Sequence, residues 1–333
     1  MDGDQKLVTG ALSRMGLAAD EITLTRLSGG VSCDVWLVEG PGRAAMVVKR
    51  ALAKLRVKDD WRAPPERVRA EIDWFKLAGK IQPGAAPKIM GEDAAHYMFA
   101  MEYLPPENHK LWKAELLVGH ADTTFAAQVG AGLAEVHAAT AGKANLAAGF
   151  AHQVQFFALR ISPYLLTAAV RNPDVAPIIQ EMADDLGAAR IALMHGDVSP
   201  KNILIGPDGP VFLDAETACY GDPAFDLAFC LNHLLLKYVR TPDAAYLESF
   251  HALKDAYLAG VVWEAPSALE TRTAHLLAAL LLARMDGKSP VEYITDPAQK
   301  GLVREATKRF LKSGESSLAK MVDTWDGAIS ALQ

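Results

Sequence analysis

The sequence predicts an α+β fold of two lobes, a small antiparallel-sheet lobe followed by a large, mostly helical one. Three observations lead there. Short runs rich in Val, Leu and Thr, separated by glycine turns, fill the first hundred residues. Long alanine- and leucine-rich segments with helical spacing fill the rest. Between them the composition changes at Tyr103-Leu104-Pro105-Pro106, where a double proline breaks regular backbone. The boundary is placed there, with residues 1–103 as the N-lobe and 104–333 as the C-lobe.

In order along the N-lobe, Lys6–Leu17 has helical apolar spacing. Ile22–Leu27, Cys33–Val38 and Ala44–Lys49 read as antiparallel strands. Pro64-Pro65 opens a helix to about Leu77, since proline suits a first helical turn, and Val68, Ile72 and Phe75 form its apolar stripe. Lys88–Met90 and Tyr97–Met101 read as two more strands. Helices of the C-lobe are expected over Thr123–Ala141, Gln153–Val170, Asp174–Ala189, Asp226–Val239, Ala244–Leu258, Pro266–Met285 and Gln299–Lys312. One strand-like interruption, Ile191–Leu213, stands among them.

Bulk properties exclude several classes. Half of the 333 residues are hydrophobic, enough for a sizeable core. The formal net charge of -6 argues against a nucleic-acid partner, which calls for a concentrated basic face. The longest apolar run, Leu276–Ala283, is far short of the ~20 residues that span a bilayer, so no membrane role is expected. MDGDQKLVTG at the start has no apolar h-region, which points to a cytoplasmic protein. Cys33, Cys219 and Cys230 have no CxxC spacing and read as reduced, buried thiols.

The chemistry concentrates in IALMHGDVSPKNILIGPDGPVFLDAE, residues 191–216. A polar loop, His195 to Asn202, precedes two short strands joined by a Gly-Pro-Asp-Gly-Pro turn, and Asp214 and Glu216 follow. A hairpin brings its ends together, so Asp197, Asn202, Asp214 and Glu216 would share one small volume. Such a set of hard oxygens suits Mg²⁺, which binds one or two carboxylates and leaves the rest of its shell to water and phosphate.

At this point the sequence resembles a known family. HGDVSPKN matches the HGDxxxxN motif of the aminoglycoside phosphotransferase and choline kinase superfamily, LDAE its metal-binding segment, and Gly221-Asp222-Pro223-Ala224-Phe225-Asp226-Leu227-Ala228 its GDPxxDLA segment. The resemblance implies a protein-kinase-like two-lobe fold that uses ATP and Mg²⁺ to phosphorylate a small-molecule hydroxyl acceptor. It implies Asp197 as the group that accepts or orients the hydroxyl proton, and Asn202 and Asp214 as Mg²⁺ ligands. Glu216 is a further metal or substrate contact. His195 is read as bracing the loop. Lys201 is either a phosphate or substrate contact or a solvated loop lysine. Asp222 and Asp226 read as loop-bracing acceptors or helix N-terminal residues.

The N-lobe supplies matching pieces. Ser28-Gly29-Gly30 sits between two expected strands, where its backbone would approach phosphates or form a plain hairpin turn. Lys49 resembles the kinase strand lysine that pairs the α/β-phosphates. Arg50 beside it leaves the register open, although alternation puts Ala45, Val47 and Lys49 on one face. Glu71 is the candidate ion-pair partner of Lys49. Met101-Glu102-Tyr103-Leu104 resembles the hinge, with adenine bound near Glu102 and Leu104.

Within the superfamily, a long activation loop has no room between Asp214 and Asp222, so a small acceptor is expected rather than a protein. RALAKLRVKDDW, MEYLPPENHKLWKAELLVGHAD and LDAETACYGDPAFDLAFCLNHLLL are similar to segments of the methylthioribose kinase branch. In that branch late-helix arginines bind the sugar, and Arg284 lies in a comparable context. Asn202 departs from it, because serine is frequent there. A nucleotide-binding scaffold without transfer is the competing class, and the oligomeric state stays open.

Overall fold

The computed structural model describes residues 3–18, 21–27, 32–56 and 61–331. Its N-terminal part contains helices α1 (Gly3–Arg14) and α2 (Val68–Ile81) and strands β1 (Thr23–Arg26), β2 (Cys33–Glu39), β3 (Met46–Ala51), β4 (Ile89–Asp93) and β5 (Met98–Glu102). The strands form one antiparallel sheet in the order β1-β2-β3-β5-β4. Alternation gives that sheet two apolar faces. Trp36, Val38, Met46, Val48, Met98 and Ala100 pack against Val8, Ala11 and Leu12 of α1. Cys33, Ala51 and Phe99 turn the other way, into a core shared with Ile72, Trp74 and Phe75 of α2. Lys49 pairs with Val35 and Phe99 and lies on this inner face, while Arg50 falls on the other.

The remaining elements are β6 (Lys110–Leu111), α3 (Trp112–Leu117), α4 (Thr123–Thr140), α5 (Ala144–Gly149) and α6 (Gln153–Phe156), then α7 (Thr167–Arg171), α8 (Ala176–Ala188), β7 (Ala192–Met194), β8 (Ile203–Gly206), β9 (Gly209–Phe212) and β10 (Cys219–Gly221). Helices α9 (Ala224–Arg240), α10 (Ala244–Ala259), α11 (Pro266–Asp286), α12 (Pro297–Ser313) and α13 (Leu318–Ser330) complete the chain. This is the two-lobed α+β architecture of kinase-like enzymes. Helix α9 is the hub, buried on every side except at its last residue, Arg240. Asp122, Asp243, Asp296 and Ser317 cap α4, α10, α12 and α13 by accepting first-turn N–H groups. Helices α4 and α10 lie in close contact because residue 130 is glycine; a Cβ there would stand 2.1 Å from the Leu253 carbonyl oxygen.

One helix departs from expectation in shape. Instead of a continuous α-helix over 153–170, α6 runs into a π-helical stretch, Phe157–Leu166, before α7. Pro163 lies inside that stretch and has no N–H to give, so the ordinary ladder cannot close around it. Helices α3, α5 and α13 and strand β10 are additions that the sequence reading did not include.

Candidate active site

The site is built on the β7–β10 segment. Strand β7 pairs with β10, and β8 pairs with β9 as the hairpin. The Leu213 N–H donates to the Asn202 carbonyl at 2.8 Å, which brings Asp214 beside the end of the 195–202 loop. Asp214 has φ 63, a left-handed conformation that Asp tolerates better than most residues.

The loop is hung from α9. Buried Asp226 accepts from the His195 N–H at 2.6 Å and the Gly196 N–H at 2.8 Å. His137 Nε2 braces the same carboxylate at 3.3 Å, and its Nδ1 faces the Tyr257 hydroxyl at 2.7 Å. Gly196 is required: its φ is 80, and a Cβ would stand 2.6 Å from Thr217 Oγ1. His195 meets the Leu213 carbonyl through Nε2 at 3.1 Å and the Asp197 N–H through Nδ1 at 3.1 Å. A carbonyl only accepts and an amide N–H only donates, so the proton sits on Nε2. Burial holds this ring below its ordinary pKa, hence neutral. Trp74 of α2 packs on it edge-on at 4.7 Å. His195 is therefore a strut between loop and hairpin. Asp222 accepts from the Ala224 N–H at the start of α9 and pairs with Arg272.

Asp197 is 2% exposed. Its Oδ2 receives Asn202 Nδ2 at 2.8 Å, Arg160 Nη2 at 2.8 Å and half-exposed Lys201 Nζ at 3.2 Å. Its Oδ1 is buried and has no hydrogen-bond partner. Arg160 also donates from Nε to the Gly196 carbonyl at 2.7 Å. The π-helical stretch carries both Arg160 and Tyr164.

Across from Asp197, Lys49 Nζ reaches Glu71 Oε1 at 2.7 Å and Asp214 Oδ1 at 2.5 Å. Burial pushes the Glu71 carboxyl up to about 7 despite Lys49. Burial would raise Asp214 as well, but Lys49 and Lys201 outweigh it and hold Asp214 below the usual carboxylate range. Lys49 keeps its proton, chiefly because Asp214 outweighs the cost of burial.

Other expected site residues take varied places. Ser28, Gly29 and Gly30 lie outside the described residues. Glu102 ends β5, and its Oε1 accepts the Lys88 N–H at 2.7 Å. Together with Leu104, His109 and Val211 it borders a cavity of about 260 Å³. Arg284 contacts the Tyr164 hydroxyl at 3.4 Å and the Ser289 carbonyl. Glu216, read as a further metal or substrate contact, is engaged within the protein. Its Oε2 accepts from Arg67 Nε at 2.8 Å, with Cys33 Sγ at 3.5 Å. Sequence reasoning missed Arg67 and Arg160. Arg67 is fully buried, and its other donors reach the carbonyls of Ala63, Pro64, Ser32 and Leu52. Arg160 had one signal, a lone cation within the apolar run FALRISPYLL.

Among the described residues, no three His, Cys, Asp or Glu side chains gather into a cage that would hold a metal unaided. The residues expected to supply hard oxygens, Asp214 and Asn202, are brought near one another by the Leu213 N–H bond to the Asn202 carbonyl. That hard-oxygen pair fits a cation whose remaining ligands come from phosphate and water.

The methylthioribose kinase of Yersinia pseudotuberculosis serotype O:3 (strain YPIII) is 26% identical over 255 residues, 69% of this chain and 61% of that protein. The chain thus matches about three fifths of the length of such curated relatives. An amicoumacin kinase solved in complex with AMP-PNP and Ca²⁺ shares the fold with TM-score 0.60 and 13% identity, over 96% of each chain. The choline kinase from Cryptosporidium parvum Iowa II does so with TM-score 0.57 and 14% identity, over 96% of this chain and 100% of that one. A family model described as the phosphotransferase enzyme family matches residues 23–269, from β1 into α11, and therefore takes in the sheet, the hairpin and the Asp226 anchor. The chain belongs to the phosphotransferase enzyme family.

Proposed function

We propose that this protein is a small-molecule kinase that moves the γ-phosphate of ATP to a hydroxyl of its acceptor. The observation that carries the reading is Lys49 bridging Glu71 and Asp214 beside a buried Asp197 whose Oδ1 is unpartnered. Asn202 and Asp214 would hold Mg²⁺, which when bound neutralises phosphate charge. Lys49, kept charged and aimed by its two carboxylates, would turn to the α/β-phosphates. The backbone of Ser28, Gly29 and Gly30 would cover the phosphates, and the segment around Glu102 and Leu104 would take adenine.

Asn202, Arg160 and Lys201 occupy Oδ2 of Asp197 and fix its plane, which leaves Oδ1 to accept from the acceptor hydroxyl. The new bond joins that oxygen to the γ-phosphorus, the bond from phosphorus to the β-γ bridging oxygen breaks, and the hydroxyl proton passes to Asp197. Such catalysis is mostly positioning and charge stabilisation. We place the protein in the cytoplasm, where ATP is available and its three cysteines stay free, as they are here. No helix among the described residues is long and apolar enough to cross a membrane.

Asp197→Ala tests the assignment. Turnover is expected to fall by about 10²–10⁴-fold or more, with MgATP still raising the melting temperature. Unchanged turnover would reject the mechanism. The match to methylthioribose kinases supports a second, narrower reading, a thiosugar acceptor. An ATP-consumption screen over sugars, amino alcohols, aminoglycosides and nucleoside-derived thiosugars decides between the two. Acceptor-independent ATP hydrolysis alone would instead point to a nucleotide-binding scaffold.

A further inference from the structure

Asp197 is met by cations that stand over aromatic rings. Arg160, bound to Asp197, stands 5.8 Å from the Tyr164 ring and 5.9 Å from the Phe229 ring. Arg284 stands 5.7 Å from that same Tyr164 ring. Phe229, His233 and Lys237 are spaced by four residues on α9, so they form one stripe of that helix. Phe229 lies 5.7 Å from His233, His233 Nδ1 lies 3.5 Å from the Tyr293 hydroxyl, and Lys237 Nζ lies 5.1 Å from the Tyr293 ring. A continuous path therefore runs from the reacting carboxylate to Lys237.

The charges along this path are poorly balanced. Lys237 is 1% exposed and its Nζ has no hydrogen-bond partner; Nε of Arg284, 8% exposed, has none either. The carboxylates nearby are already engaged, Asp197 by Arg160, Lys201 and Asn202, and Glu292 by Lys113. Burial and the neighbouring Lys113 push Lys237 down to about 7, and burial with Arg284 and Lys237 pushes His233 well below its ordinary value. An ammonium buried without a partner is costly, and a bound anion removes the cost.

We propose that the acceptor carries an anionic group, a carboxylate or a phosphate ester, seated between Lys237 and Arg284 while its hydroxyl meets Asp197. The inference rests on the kinase reading for which group reacts and goes further in naming the acceptor class. It sets the chain apart from enzymes whose acceptors are cationic, because a cation would meet Arg160, Arg284 and Lys237 where the neighbouring carboxylates Asp197 and Glu292 already have cationic partners. A neutral sugar would leave Lys237 unpaired.

The experiment uses matched acceptors: D-glucose, D-gluconate, D-glucose 6-phosphate and D-glucosamine, with the corresponding ribose set, in an ADP-release assay at fixed ionic strength. A carboxylate or phosphate member is expected to exceed its neutral parent by about tenfold or more in kcat/KM, with the amino sugar unused. The two anionic arms distinguish carboxylate from phosphate. Lys237→Met should raise KM for that acceptor by about ten- to hundredfold with a smaller change in kcat, and Lys237→Arg should recover most of the loss. Preference for the neutral or amino member, or an unmoved KM in Lys237→Met, overturns the inference while Asp197-dependent turnover keeps the kinase reading. If no member is turned over, thermal shift decides. Stabilisation by gluconate or glucose 6-phosphate that is absent with glucose and lost in Lys237→Met supports the anion site, and no such shift overturns it.

Discussion

Glu71 is the residue whose protonation most directly reports how the site is wired. Its carboxyl is buried, one oxygen meets Lys49, and the other has no partner. Its pKa is raised from 4.5 to about 7 by burial. A carboxyl raised in the folded state favours folding most when protonated. That stability is fully present below 4.5 and lost as pH rises through about 7. The ligand-free wild type should therefore lose about 3 kcal/mol relative to Glu71→Gln between those limits. Chemical denaturation of both proteins from pH 4.5 to 8 measures the difference, and parallel stability curves would contradict the buried, raised carboxyl. Gln keeps the oxygen that faces Lys49, so the comparison isolates charge.

At the scale of elements, the loop and the helices behind it are held by different glycines. Gly196 lets the loop pass Thr217 in a left-handed conformation, so Gly196→Ala meets both a clash and about 1–2 kcal/mol of backbone strain. The loop must move, and Asp197 with it. Gly130→Ala presses α4 against the Leu253 carbonyl of α10, away from Asp197. Both variants should melt earlier, by about 1–3 kcal/mol of lost stability. Only Gly196→Ala should also cut kcat by about tenfold or more, a loss of positioning. Measured at a temperature where both are folded, equal kcat values would refute the division of labour. The π-helical stretch is a third device. By widening the turn around Pro163 it places Arg160 and Tyr164 on the side of Asp197.

At the scale of the molecule, the two lobes share one core. Phe75 and Phe99 of the sheet lobe belong to the same buried cluster as α9 and α11. Trp74 lies between His195 and Phe212 at 4.7 and 6.0 Å, and Arg67 ties the N-terminal part to Glu216. Residues 1–103 expressed alone would expose this surface and leave Arg67 without its carboxylate. That fragment should unfold without a sharp transition, whereas the full chain should melt cooperatively. A fragment with its own sharp thermal transition would show that the sheet lobe is self-sufficient.

Much of this was legible in the sequence because it is local. Period-two and helical spacing announce strands and helices wherever one face must be buried, and a four-residue turn forces the ends of β8 and β9 together, which is why Asp197, Asn202 and Asp214 could be named. Glycine at 196 and aspartate at 226 follow from the same short motifs. What local pattern cannot encode is which distant side chain meets a charge. Glu216 read as a metal or substrate contact from its neighbours in the chain, and only the fold shows that Arg67, 149 positions away, pairs with its carboxylate. Lys237 lies inside an expected helix and drew no reading of its own, and only the fold shows it buried against Tyr293 with Nζ lacking a hydrogen-bond partner. Arg160 stood in the sequence only as a lone cation in an apolar run, and the fold brings it to Asp197. The sequence by itself determined most of the elements and the hairpin that carries Asp214, since these depend on residues close together. Tertiary structure alone decided how the buried charges pair, because the energy of a buried charge depends on whatever the fold places within a few ångströms of it.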